Sequence, residues 1–208
     1  HRELLSTYMF KPKFLSQLSS VNQMDSSVNE SGEFQIHGQS TRAYIKKSFD
    51  FTFEEPPYGD TKYGFILSSQ YLDASFSRYI ISNQIFKDAG FLVPELELVD
   101  FYINNQYQGI YLKVEELKQA FFRRRNIDRG SSYKLISGNT FEFRNYTSLL
   151  SKFKKVYPEE TSLSHSDLER LVVLLQNGLV DQSQRQKLEQ IFDRESFIKY
   201  YALVFALN

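Results

Sequence analysis

No cysteine occurs anywhere in the chain, which removes disulfide frameworks, thiolate nucleophiles and cysteine-ligated zinc while leaving the redox compartment open. Neither charge is in surplus: 25 Lys and Arg balance 25 Asp and Glu, so no global field recruits nucleic acid or an anionic membrane, and any basic site must be local. Long hydrophobic runs are missing as well. The longest, YYALVFAL at 200–207, falls well short of the roughly 20 apolar residues of a spanning helix. The N-terminal HRELLSTYMFKPKFL has no uninterrupted apolar stretch of the signal-peptide kind. These absences predict no nucleic-acid partner and no membrane span. Histidine is sparse, and His1, His37 and His165 are too scattered for a zinc site of the HExxH type. A serine nucleophile would find only His37 or His165 as its base. No GxxxxGK[ST] occurs and no GxGxxG follows a strand, which excludes a Walker phosphate loop and leaves a dinucleotide fold without support.

Aromatic residues are abundant, with 19 Phe and 14 Tyr but no Trp, and they cluster where the pattern alternates. Phe49, Phe51 and Phe53 recur at period two, which places three rings on one face of a strand and Ser48, Asp50 and Thr52 on the other. EEPPYGD then reads as a turn. Between Asp73, a candidate cap, and Gly90, a candidate left-handed terminus, the spacing predicts a helix over 74–89. ELELVDFYINNQYQGIYLKVEE predicts two strands joined at Asn104-Asn105-Gln106, with Gly109 at a bulge or a close backbone approach. ELKQAFFRRRN predicts a short basic helix, and SYKLIS and FEFRN short strands.

From about residue 146 the composition turns helical. SDLERLVVLLQNG predicts a helix opened by a capping box, Ser166 with Glu169. After a polar stretch, DRESFIKYYALVFALN is apolar nearly all round from Phe197, which predicts an interior helix and a natural chain continuing past Asn208. The expected fold class is α+β, in a β-rich lobe over 1–114 and the start of a helical lobe over 115–208.

Four segments in order carry a resemblance: HGQSTRAYIKKSFDFTF, YLDASFSRYIISNQIFKDAG, VDFYINNQYQGIYLKVEEL and SYKLI. Together they resemble the spore coat protein H family, the CotH kinases, over about residues 33–136. In that family a Gly-Ser-Arg turn enters a Lys-Lys-Ser-Tyr strand, a helix carries an Arg-Asn pair, and a hairpin reads Asn-Gly-x-x-x-Gly-x-Tyr. This chain departs from the pattern at His37, where an Arg is usual, at Tyr79 in place of the Asn, and at Asn105 in place of the hairpin Gly. The resemblance implies a two-lobed atypical protein-kinase-like fold, truncated here. It implies ATP and Mg2+ as cofactors in the full-length protein, Ser/Thr of a spore coat or surface protein as substrate, and a spore coat or cell-surface location. It also implies that the catalytic loop and the metal-binding segment follow Asn208, so that no catalytic or metal-binding residue is expected within these 208 residues and the chain alone is expected to be inactive. The rival readings are a noncatalytic structural or binding module of a coat or surface, and an adhesion domain using exposed tyrosines.

Joined to the chemistry of phosphoryl transfer, which asks for positioned cations on the phosphates, the resemblance points to Lys47. Its side chain shares the parity of Phe49, Phe51 and Phe53 and so faces the covered side, whereas Lys46 faces away. Ser40, Thr41 and Arg42, with the backbone N–H groups of the 38–42 turn, are the candidate phosphate cradle. Read without the resemblance, the two lysines are solvated charges beside an ordinary turn. Arg78 is a phosphate contact or half of a structural salt bridge, with Asp73 as a cap. Glu115 is either a hinge residue for adenine or ribose or, with Glu116, the acidic first turn of the helix that ends in Arg123, Arg124 and Arg125. That arginine run is a solvated helix end or a docking patch for an acidic protein.

Overall fold

The structure, a computed structural model, describes residues 13–21, 27–38, 40–54, 63–127, 130–135, 152–157, 165–178 and 180–207. They fall into two compact units, His1–Arg125 and Asn126–Asn208, and the fold is α+β, with antiparallel sheets and five α-helices among the described residues. The expected turn at 54–60 lies largely, and the FEFRN strand wholly, outside the described residues.

In the first unit the strands are β1 (Lys13–Val21), β2 (Ser27–Ile36), β3 (Phe49–Phe53), β4 (Gly64–Ser68), β5 (Leu96–Ile103) and β6 (Gln106–Glu115). They form one antiparallel sheet in the order β1-β2-β3-β4-β6-β5. The alternation in β3 works as the sequence predicts. Phe51 lies opposite Phe34 on one side and Phe65 on the other. Together with Phe53, Leu67, Phe101 and Tyr111 it forms a buried aromatic core, in which Phe51 and Phe65 stack at 5.3 Å. Burying rings of this size stabilises the unit by about 2–3 kcal/mol each, so this face accounts for much of its cohesion.

The opposite face of the sheet holds Ile66, Leu112 and Val114, packed with Phe76, Ile80 and Leu96. Ile80 belongs to helix α1 (Ser77–Asp88), so α1 lies on that face. The helix starts three residues later than its spacing predicts. Phe76 is drawn into the cluster and is 8% exposed, and it takes a left-handed backbone, φ 59°, that no helix interior accepts. Asp73 still caps the helix from a distance, its Oδ2 accepting from the Arg78 N–H at 3.0 Å. The far end follows the expected chemistry. Gly90 has φ +87°, its N–H reaches the Lys87 carbonyl and the Phe91 N–H reaches the Phe86 carbonyl, and the Phe86 and Phe91 rings meet at 5.7 Å. This is a Schellman ending complete with its apolar contact.

The β5–β6 hairpin turns on Asn104 and Asn105, both at positive φ, as a two-residue loop matched to strand twist requires. Its register shifts between Phe101 and Tyr102, opposite Gly109, whose φ is +96°, so the glycine marks a bulge. Helix α2 (Gln119–Arg124) follows and buries Gln119, Ala120 and Phe121.

The second unit pairs β7 (Ser132–Leu135) with β8 (Phe153–Tyr157) and contains α3 (Ser166–Asn177), α4 (Gln182–Glu189) and α5 (Arg194–Leu207). Two expectations change here. The region after 146 is not uniformly helical, because FKKVY takes the open ladder of β7 and cross-strand hydrogen bonds override its lysines' modest helix preference. The Ser166 capping box also does not form. Ser166 is already helical, and His165 stands at the cap without a side-chain cap hydrogen bond. The true side-chain cap is Asp181, which accepts from the N–H groups of Ser183 and Gln184 at the start of α4. No residue of α5 is buried among the described residues, and Phe205 is 79% exposed, so the described residues do not supply the cover that its apolar composition predicts. No helix among the described residues is long and apolar enough to cross a membrane.

Candidate functional site

The segment joining β2 to β3 makes a corner. Gly38, at φ +94°, turns the chain where a side chain could not go: a Cβ there would lie 2.0 Å from Thr41 Oγ1. A 3-10 turn over Ser40–Ala43 follows, closed by the Tyr44 N–H on the Thr41 carbonyl. Of the expected cradle, Ser40 opens this turn, Thr41 lies within it with Oγ1 buried and without a hydrogen-bond partner among the described residues, and Arg42 is 5% exposed.

Lys47 sits directly against the turn, its Nζ donating to the Arg42 carbonyl at 2.5 Å. The chain is not yet a strand at this point, since β3 begins at Phe49, so period-two parity does not govern the two lysines. Lys46 departs from its expected outward direction for that reason. Its ammonium lies 4.3 Å from the Tyr111 ring centroid and 5.7 Å from that of Phe76, and it donates to the Ile110 carbonyl at 2.6 Å. Burial holds its pKa below the ordinary lysine value.

Further contacts hold the corner. His37 donates its backbone N–H to Ser48, and its ring Nδ1 lies 2.5 Å from Oδ1 of Asp50, whose side chain is buried in the sheet. Tyr44 stacks on Tyr71 at 4.9 Å. The Ser69 N–H donates to Ser48 Oγ. The sequence carries one signal for the His37–Asp50 pair: an acid placed between phenylalanines, on the strand face opposite theirs, needs a partner.

Arg78 is exposed on the first turn of α1, its guanidinium helping to keep the Asp73 carboxyl below its usual range, behind hydrogen bonds from the Ser75 hydroxyl and the Arg78 N–H. Glu115 stands elsewhere, at the end of β6, with its side chain 5% exposed. Its carboxylate takes hydrogen bonds from Arg124, from Arg125 and from the Glu95 N–H. Glu115 is therefore a strand residue and not part of a helical first turn. Arg124 and Arg125 are not a solvated helix end either: they fold back over Tyr63 and Phe121 to reach it, because a buried carboxylate left unpaired costs several kcal/mol. Arg123 alone of the three is exposed. The structure thus brings Lys47, Thr41 and Arg42 together, with Ser40 in the same turn, and gives Glu115 its own ion-pair cluster.

Among the described residues no group of three or more His, Asp or Glu is placed to hold a metal ion. What the corner offers instead, among the described residues, is a lysine that makes no ion pair and a buried hydroxyl, Thr41 Oγ1, without a hydrogen-bond partner, beside a glycine turn.

The chain matches the family model described as CotH kinase protein over residues 34–208. It is 22% identical over 181 residues to the inner spore coat protein H of Bacillus subtilis (strain 168), an alignment that covers 82% of this chain and 49% of that protein. The chain therefore spans about half the length of the curated relative it matches. With the ordered segments, the corner and the hairpin all lying inside the matched range, the chain belongs to the CotH family.

Proposed function

We propose that this chain is the nucleotide-binding part of a CotH-type atypical protein kinase that phosphorylates Ser or Thr of spore coat or surface proteins. The observation that carries this reading is the seating of Lys47 on the Gly38–Arg42 turn, within a chain matched by a family whose model is described as a kinase protein. On this reading the six-stranded sheet and its α1 helix are the smaller lobe of a two-lobed kinase-like fold, and the residues from Asn126 belong to the larger one.

When bound, ATP supplies the phosphoryl group, and this chain's residues hold it. Lys47 would exchange the Arg42 carbonyl for a phosphate oxygen, a stronger charge-assisted partner. Thr41 Oγ1 would donate a hydrogen bond that it does not make among the described residues, and the N–H groups of the 3-10 turn would add partial positive charge. The described residues supply no magnesium ligand set, so transfer itself is proposed for the whole protein. Its location in a spore coat is proposed from the relative's name.

The test compares this chain with the full-length protein. Calorimetry should find weak ATP binding to residues 1–208, and radiolabel transfer from ATP to a coat-protein acceptor should require the longer chain. Transfer by residues 1–208 at a rate comparable to the full-length protein would place the catalytic carboxylates among the acids described above. Absence of nucleotide binding and transfer in both would overturn the kinase reading.

A further inference from the structure

We propose that Lys46 is a positioning residue that latches the 37–47 corner onto the β5–β6 hairpin, leaving the adjacent Lys47 as the lysine that meets phosphate. The latch stands on geometry alone; the role of Lys47 rests on the nucleotide reading above.

Two neighbouring lysines of the same chemistry have been given different surroundings. Lys47 reaches back only five residues, to a carbonyl of its own turn. Lys46 crosses to another part of the sheet, with Nζ on the Ile110 carbonyl and its charge over the faces of Tyr111 and Phe76. A cation over two ring faces and on a carbonyl gains from each contact. None of these partners is an acid, and among the described residues Lys46 makes no ion pair, so the ammonium is held by position and not by a countercharge. Its partial burial lowers its affinity for a proton.

The partners are informative in themselves. Ile110 and Tyr111 directly follow the bulge at Gly109, whose Cα side faces Lys46 Nζ: a Cβ there would lie 3.7 Å from it. Phe76 is the left-handed residue at the start of α1. One side chain therefore gathers the corner, the hairpin bulge and the beginning of the helix, three segments distant in sequence. A corner fixed in this way presents its turn N–H groups and Lys47 in one arrangement before any ligand arrives, which lowers the ordering cost of binding.

The experiment uses residues 1–208 and compares Lys46→Met, which keeps the stem but removes donor and charge, with Lys46→Arg and Lys47→Ala. Amide hydrogen exchange is read without nucleotide at His37, whose N–H bonds across the corner to the Ser48 carbonyl, and at Tyr44, whose N–H closes the 3-10 turn on the Thr41 carbonyl, and ATP affinity is read separately. Lys46→Met should speed exchange at these amides about tenfold and weaken ATP binding by a similar factor. Lys46→Arg, which can still donate to a carbonyl while lying on a ring, should restore both. Lys47→Ala should lose ATP with exchange unchanged. Unchanged exchange in Lys46→Met overturns the latch, and so does a Lys46→Arg variant as loose as Lys46→Met. Loss of ATP by Lys46→Met with full amide protection makes Lys46 a phosphate ligand and overturns it too. If the unaltered chain binds no ATP and Lys46→Met still loosens the corner, the latch stands and the nucleotide reading falls.

Discussion

Arg125 meets Glu115 end-on, with Nη2 2.7 Å from Oε2 and Nη1 3.0 Å from Oε1, so the residue just past the end of α2 is clamped to the residue that ends β6. A fork on a carboxylate fixes orientation as well as distance. Because the acid side chain is only 5% exposed, removing it takes the carboxylate from two guanidinium groups and the acceptor from the Glu95 N–H. Glu115→Ala is expected to destabilise the first unit by about 3 kcal/mol, and Glu115→Gln by less, since the amide oxygen still accepts one bond. Urea unfolding measures both.

Tyr133 and Asp167 form the corresponding tie in the second unit, where the phenol donates to the carboxylate at the start of α3. Burial alone would raise the Asp167 carboxyl, but hydrogen bonds from Ser131, Tyr133 and the Leu168 N–H, with Lys155 nearby, overcome it and hold the group at about 2. Burial and the same hydrogen bond raise Tyr133 to about 12. Asp167 is depressed in the folded state, so its stabilising contribution is present above the ordinary carboxylate value and is lost as pH falls from about 4 to about 2. Tyr133 is raised, so its contribution is present below about 10 and is lost as pH climbs towards 12. Tyr133→Phe should move the Asp167 titration upwards, as read by carbon NMR of its carboxyl.

At the hairpin, Gly109→Ala is expected to cost about 1–2 kcal/mol through backbone strain alone, because φ is +96° there while the space for a Cβ is adequate. Asn105 also has positive φ, so Asn105→Gly should leave stability unchanged or raise it, and Asn105→Val should lower it. Thermal melts of the three variants give the order.

On the proposed kinase reading, Lys47→Ala in the full-length protein should depress phosphoryl transfer by about 100-fold, the loss usual for one positioned electrostatic partner. The check is single-turnover transfer at saturating ATP. An unchanged rate would count against Lys47 as the phosphate lysine.

The sequence shows most of the first unit because its local signals agree with its tertiary contacts. The Phe49-Phe51-Phe53 alternation, the Asn104-Asn105 turn and the Gly90 ending each need only nearby residues to act. Where legibility fails, a distant partner decides. Phe76 shortens α1 by entering a core built from other strands, and Arg124 and Arg125 leave solvent for an acid at the end of β6. Lys46 escapes strand parity because the strand has not begun. At the candidate site the turn is readable from its glycine and small hydroxyl residues, but strand parity does not explain the seat of Lys47, and the partner of Asp50 and the reach of Lys46 to Ile110 depend on the sheet order, which no short segment encodes.

That sheet order has a kinetic consequence. β1 to β4 pair with their neighbours in sequence, and β5 pairs with β6 across a two-residue turn, whereas β4 meets β6 only after α1 and β5 have been traversed. The meander and the hairpin each close short loops, and the seam between β4 and β6 closes a long one, which carries the largest chain-entropy cost. The first unit is therefore expected to cross its folding barrier as this seam zips. Truncating a seam residue such as Leu67 or Leu112 should slow refolding.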